Sequence, residues 1–242
     1  MRDLQEYLVN ETPSGIPAIF HEEAITGFAA KGSTIYPQQL GVACTWNTDL
    51  AREKTQQTAR SMRAVGATMA LSPMVDLIRT AHWSRVEESY GEDPYLTAAM
   101  GSAFVEGIQG GDLRKGVAAC TKHFLGYGGG SKLPWKEIYE EILFPHEVAI
   151  RQAGSKTIMT SYGSFKNEPA VASETLLNVV LKDYLQFDGL AVSDYGAVGY
   201  ISQSDPESLK KTATAALNAG NDLEFPSGSN YKYLHESLRK GL

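Results

Sequence analysis

The feature that most limits what this chain can become is an alternation of two unlike patterns. Short apolar runs, "IPAIF" (16–20), "QLGVACT" (39–45), "ATMALSPM" (67–74), "GVAACTKHF" (116–124), "KTIMTSY" (156–162), "GLAVSD" (189–194) and "NDLEF" (221–225), are separated by longer helical stretches. None of the runs alternates polar with apolar, as a strand with one wet face does. A strand covered on both faces reads as a near-continuous apolar run instead. The helical stretches carry their own punctuation. Asp93-Pro94 supplies a cap and a first-turn proline before "YLTAAMGSAFVEGIQ", which Gly110-Gly111 ends. Asn47 is placed to cap "TDLAREKTQQTARSMRAV" ahead of Gly66, and Ser173 to cap "ETLLNVVLKDYL". "DPESLKKTATAALNAG" repeats the scheme from Asp205-Pro206 to Gly220, and Pro145 is expected to kink or split "WKEIYEEILFPHEVAIRQAG". Strand and helix in turn at this spacing predict βα units on a parallel sheet. About seven candidate strands with no Gly-x-Gly-x-x-Gly turn favour an α/β, TIM-type (β/α)8-like barrel over a dinucleotide-binding fold.

The 242 residues, 43% of them hydrophobic, suit one barrel domain spanning 1–242, and no linker, repeat or low-complexity segment divides them. A net charge of -6 with no Lys/Arg run argues against a nucleic-acid partner. No stretch approaches the roughly 20 apolar residues of a membrane span. The opening "MRDLQEYLVNETPSG" reads as a short amphipathic helix without the apolar core of a signal peptide. The compartment is therefore left open, and export of a parent protein, periplasmic or secreted, would need a signal outside this chain. Cys44 and Cys120 follow small apolar residues and read as buried free thiols. The histidines include no His-x-His at a strand end and no His-Glu-x-x-His, so no metal site is expected, and no cofactor.

In such a barrel the active site is built at the carboxyl ends of the strands. Those ends deliver His21, Glu22 and Glu23, then Arg85 in "HWSRVEESYGEDP", then Lys122 and His123, Tyr162, and Asp194. Taken singly, each has a plain structural alternative. Asp194 could cap a helix, Arg85 could pair with Glu88 or Glu92, Lys122 and His123 could balance nearby carboxylates, and Tyr162 could be a buried tyrosine. Glu22 and Glu23 are adjacent, so only one is expected to point inward. Trp83 and Trp135 read as core or as a sugar-stacking platform. Caps and salt bridges arising independently would not all fall at strand ends, and the set carries the functional reading. A carboxylate flanked by Lys and Arg is held ionised, which suits a nucleophile or an electrostatic stabiliser. Charged hydrogen-bonding groups around it suit a ring of hydroxyls, and the combination points to glycoside hydrolysis by covalent catalysis.

The ordered segments "GIPAIFHEEAITGF", "SPMVDLIRTAHWSRVEESYGEDPYL", "TKHFLGYG", "MTSYGSF", "FDGLAVSDYGA" and "AGNDLEF" resemble the catalytic barrel of glycoside hydrolase family 3, which includes β-glucosidases and β-xylosidases. The resemblance runs from about residue 15 to 226. It implies Asp194 as nucleophile, with Lys122, His123, Arg85 and Tyr162 around the sugar and Glu23 gripping its hydroxyls. The implied activity is retaining, double-displacement hydrolysis of terminal β-linked glucosides or xylosides, with an oligosaccharide or β-glycoside as substrate.

Retaining hydrolysis also needs a carboxylic acid roughly 5–5.5 Å from the nucleophile. In most of the family that acid lies in a second α/β domain after the barrel, which is expected to be absent here. The β-N-acetylhexosaminidase branch uses a His and an Asp in the loop after "KHF", but here that loop, "LGYGGGSKLPW", has neither. The expectation is a barrel short of its first strand and of its closing helix, with an open edge suited to homodimerisation or strand completion. Two rivals stand beside the hydrolase: a non-catalytic sugar-binding fragment with Asp194 idle, and a barrel aldolase using Lys122 as a Schiff base.

Overall fold

A computed structural model describes residues 2–201, 206–239 and 241. Five parallel strands, β1 (His21–Glu22), β2 (Met69–Ala70), β3 (Ala118–Phe124), β4 (Thr157–Thr160) and β7 (Leu190–Val192), pair in that order. Leu223 of "NDLEF" extends the sheet by a parallel bridge to Val192. A small antiparallel hairpin, β5 (Ser164–Phe165) with β6 (Glu168–Pro169), stands apart. Neighbours in space follow neighbours in sequence, which is the strand order of a βα barrel. The two ends of the sheet meet through side chains: the His21 ring of β1 stacks on Phe225 at 4.3 Å, and His21 Nε2 lies 2.7 Å from the Tyr195 hydroxyl. The predicted TIM-like barrel is present.

Strand periodicity sorts the core. Met69, Cys120, Met159 and Val192 share one buried cluster with Leu71 and Phe225, inside the barrel. The residues one position away face outward onto helices: Ala70 and Ala119 join Met62, Phe104 and Ile108, while Ile158 and Ala191 join Leu176, Leu177 and Leu181. Both faces are covered, as the unbroken apolar runs required. Period two carries the inner face forward from Cys120 to Lys122 and from Val192 to Asp194, at the carboxyl ends.

The predicted helix signals act as expected. Asn47 Oδ1 accepts from Leu50 N–H at 3.0 Å to start helix Thr48–Val65, which Gly66 ends in the left-handed region at φ 88°. Asp93 accepts from Leu96 N–H at 2.7 Å ahead of helix Pro94–Gln109. Ser173 Oγ accepts from Leu176 N–H at 3.3 Å, although the following helix, Thr175–Tyr184, has π geometry. The Pro145 stretch splits at Leu143 into a π segment, Ile138–Ile142, and helix Phe144–Arg151. Helix Pro206–Ala219 forms, but Asp205 before it lies outside the described residues.

Three expectations are corrected. "QLGVACT" is not a strand: Gln39–Ala43 is a helix that buries Val42 and Ala43 against Ala51, Val75 and Met100. A short apolar run fits either element by pattern, and Gln39, whose Nε2–H donates to Met74 O at 2.9 Å, anchors this one as a helix over the strands. Cys44, just past that helix, is exposed rather than buried, and only Cys120 is a core thiol; both are free. In "IPAIF" the ladder starts at Phe20, whose carbonyl accepts from Thr68 and Met69 N–H, and the strand itself is His21–Glu22. The opening helix, Arg2–Glu11, forms but buries none of its residues, and is tied down by Gln5, whose side chain bonds both N–H and C=O of Ala18.

Candidate active site

Every residue singled out at a strand end lies at one end of this barrel. Lys122, on the inner face of β3, is 2% exposed. Its Nζ donates to both Glu23 oxygens at 3.0 Å, which ties β3 to the end of β1 across the barrel mouth. Of the two adjacent glutamates, Glu23 is therefore the one engaged in the site.

Arg85 enters from the loop after β2. Its Nε and Nη2 donate to the two oxygens of Glu88 at 2.8 and 2.6 Å, a bidentate pair. Nη1 reaches His123 Nε2 at 3.0 Å. The local pairing with Glu88 and the site role are thus combined in one side chain. Burial pushes the Glu88 carboxyl up, but its hydrogen bonds to Arg85 outweigh that and hold it below its ordinary value.

His123 is 1% exposed and central. Its Nδ1 lies 2.8 Å from Asp76 Oδ2, and its Nε2 lies 3.4 Å from Asp194 Oδ2. Burial first, then the charges of Lys122 and Arg85, push the imidazole well below its ordinary pKa, which favours the neutral ring.

Asp194 follows the last residues of β7 and is 7% exposed. Its Oδ1 accepts from Tyr195 N–H at 2.7 Å. Its Oδ2 is buried and, among the described residues, meets no donor in bonding geometry. It caps no long helix: Gly196 N-caps the short helix Ala197–Tyr200, with no side-chain cap bond. Tyr162 stands beside it, its phenol pushed up by burial and then by the Asp194 charge. Tyr127 packs on His123 at 5.0 Å, Trp83 on Tyr127 at 5.6 Å, and Tyr200 on Tyr162 at 5.5 Å, so aromatic rings wall one side. Trp83 is half-buried and Trp135, against Phe165 and Tyr139, is 40% exposed, so neither is core. A cavity of about 340 Å³ opens beside Glu23, Arg85 and Glu88, lined also by Thr26 and Gln38.

Asp76 was missed as a site residue, although "SPMVD" ends an apolar run in a carboxylate just as "GLAVSD" does. It is buried, and desolvation raises its carboxyl to about 6. Tyr195 and His21, joined from opposite ends of the sheet, were likewise not paired by sequence reasoning, because nothing local links residues so far apart.

The arrangement presents a buried carboxylate at a strand end, fixed cations on one side, and a mouth of donors and acceptors. This chemistry suits a polyol with an electrophilic carbon held against Asp194.

The sequence pattern of the glycosyl hydrolase family 3 N-terminal domain matches residues 1–242. A beta-xylosidase of Formosa agariphila is 37% identical over 236 residues, covering 89% of this chain and 33% of that protein. A periplasmic beta-glucosidase of Salmonella typhimurium is 31% identical, covering 100% of this chain and 32% of that protein. Among solved structures, a β-glucosidase of Erythrobacter marinus superposes with a TM-score of 0.92 at 34% identity, over 98% of this chain and 33% of the other. A beta-glucosidase of Listeria innocua, solved in complex with glucose, superposes with a TM-score of 0.88 at 32% identity, over 98% and 34%. The chain spans about a third of the length of the curated relatives it matches. Pattern, relatives and superposition agree, and the chain belongs to glycosyl hydrolase family 3, as its N-terminal, TIM-like barrel domain.

Proposed function

We propose that this barrel is the nucleophile-bearing half of a retaining β-glycosidase acting on terminal β-linked glucose or xylose. The observation that carries the reading is Asp194: a buried carboxylate at a strand end, beside His123 and Tyr162 and within the field of Arg85. Lys122, Glu23, Arg85 and His123 hold the sugar hydroxyls, and Tyr162 lines the site beside the nucleophile. An Asp194 lone pair attacks the anomeric carbon as the glycosidic C–O bond breaks, its electrons passing to the leaving oxygen. That oxygen takes a proton from a carboxylic acid, which by the family resemblance belongs to a second domain. Water then attacks the same carbon, losing a proton to the conjugate carboxylate, and Asp194 departs as a carboxylate. Relatives named as beta-xylosidase and beta-glucosidase support both sugars equally.

The test uses 2,4-dinitrophenyl β-glucoside and β-xyloside, whose leaving groups depart without an acid. Wild-type chain is expected to release dinitrophenolate from at least one, and Asp194→Ala to lose that release by about 10³-fold or more. Equal rates in wild type and Asp194→Ala would remove Asp194 from the chemistry. No release from folded wild type would make a sugar-binding role the better description.

A further inference from the structure

Asp76 is 3% exposed, and a single oxygen of it accepts two N–H groups of one residue. The His123 backbone N–H donates to Oδ2 at 2.9 Å, and ring Nδ1 lies 2.8 Å from the same atom. On the far side of the ring, Nε2 meets Arg85 Nη1 at 3.0 Å. A guanidinium can only donate, so Nε2 presents its lone pair, and the ring proton sits on Nδ1, where the Asp76 carboxylate takes it. The Nε2 that lies 3.4 Å from Asp194 Oδ2 therefore has no proton to offer that oxygen, which among the described residues meets no donor in bonding geometry. With the proton on Nε2 instead, an N–H would point at both Arg85 and Asp194. The first contact would set donor against donor. The second would give Asp194 another hydrogen bond and make it a weaker base and nucleophile.

We propose that Asp76 is a positioning residue for the nucleophile: by holding His123 as the Nδ1–H tautomer, it leaves Nε2 an acceptor for Arg85 with no proton for Asp194, and keeps that carboxylate one hydrogen bond short. The consequence for rate rests on Asp194 being the nucleophile; the tautomer does not.

The test is long-range proton–nitrogen correlation on histidine-labelled chain, with His123 assigned by the signal lost in His123→Asn. Wild type is expected to show a neutral ring with its proton on Nδ1 near neutral pH. A proton on Nε2 in wild type overturns the proposal without any variant. In Asp76→Ala the proton should move wholly or partly to Nε2, and dinitrophenolate release should fall by about 100-fold. Asp76→Asn keeps one carbonyl acceptor for the two N–H groups, so it should retain Nδ1–H and release at least ten times faster than Asp76→Ala, an order-of-magnitude expectation. A folded Asp76→Ala chain that keeps Nδ1–H overturns the proposal. If wild type releases nothing, the glycosidase reading fails, and the tautomer shift alone decides the role of Asp76.

Discussion

Removing Glu23 tests the electrostatics of the barrel mouth, because the cost falls on its buried partner. Lys122 is 2% exposed, and among the described residues its ammonium donates to the two Glu23 oxygens at 3.0 Å. Two unit charges that close attract by about 5 kcal/mol at an effective dielectric of about 20. The Glu23 side chain is 56% exposed, so water screens the pair and can partly replace the carboxylate. The expected loss on Glu23→Ala is therefore at the low end for a stranded buried charge, about 3 kcal/mol. For a chain of 242 residues that corresponds to a Tm lower by roughly 6–12 °C. The reasoning places this cost on the uncompensated ammonium, so Lys122→Met should abolish it. In the Lys122→Met background, Glu23→Ala should cost less than about 1 kcal/mol, giving a coupling of about 2 kcal/mol or more in a urea double-mutant cycle. A cost for Glu23→Ala that is the same in both backgrounds would refute the argument.

Three further outcomes follow from other buried groups. His146, fully buried against Phe124, has its pKa lowered to about 4 by burial, so the unfolded chain takes up a proton there first as pH falls below 6.5. Stability should drop between pH 6.5 and 4, and His146→Phe should lose less over that window in urea titrations; parallel losses would contradict it. Lys54, which donates to the carbonyls of Ile25 and Pro37, has its pKa lowered to about 8 by burial. The unfolded chain binds the extra proton between pH 8 and 10.5, so wild type should gain stability relative to Lys54→Met as pH rises through that range; a flat difference would contradict it. A Cβ at Gly107 would overlap Thr55 Oγ1 and the Arg52 carbonyl where two helices meet. Gly107→Ala should thus destabilise by about 1–3 kcal/mol in thermal denaturation despite alanine's better helix propensity, and an unchanged or higher Tm would count against the packing.

How far the sequence could be read depended on whether the signal was local. Strand ends were legible because two covered faces leave an unbroken apolar run, and a charged residue after it stands out. That is why Lys122 and Asp194, each two positions beyond the inward-facing Cys120 and Val192, were found. Asp76 carries the same mark but was passed over, because its role lies in a contact with His123 that only the fold creates. "QLGVACT" misled because a short apolar run has no period that separates strand from helix. The closing of the sheet by His21, Phe225 and Tyr195 joins residues more than 170 positions apart through side chains, and no ladder or repeat announces it. Arg85 shows a different limit: pairing with Glu88 or Glu92 and a place in the site read as alternatives in the sequence, and a guanidinium with five N–H groups combines the Glu88 pair with a contact to His123.

The central claim is that Asp194 attacks an anomeric carbon, and trapping the product tests it most directly. With 2,4-dinitrophenyl 2-deoxy-2-fluoro glucosides and xylosides, the activated leaving group departs as dinitrophenolate and leaves the fluorosugar on the enzyme, while the fluorine slows breakdown of that glycosyl-enzyme. The account predicts an intact mass greater by one fluorosugar, located by peptide mapping on Asp194 in "GLAVSDYGA" and absent in Asp194→Ala. An adduct on another carboxylate, or a folded chain that takes no label from either sugar, would contradict it.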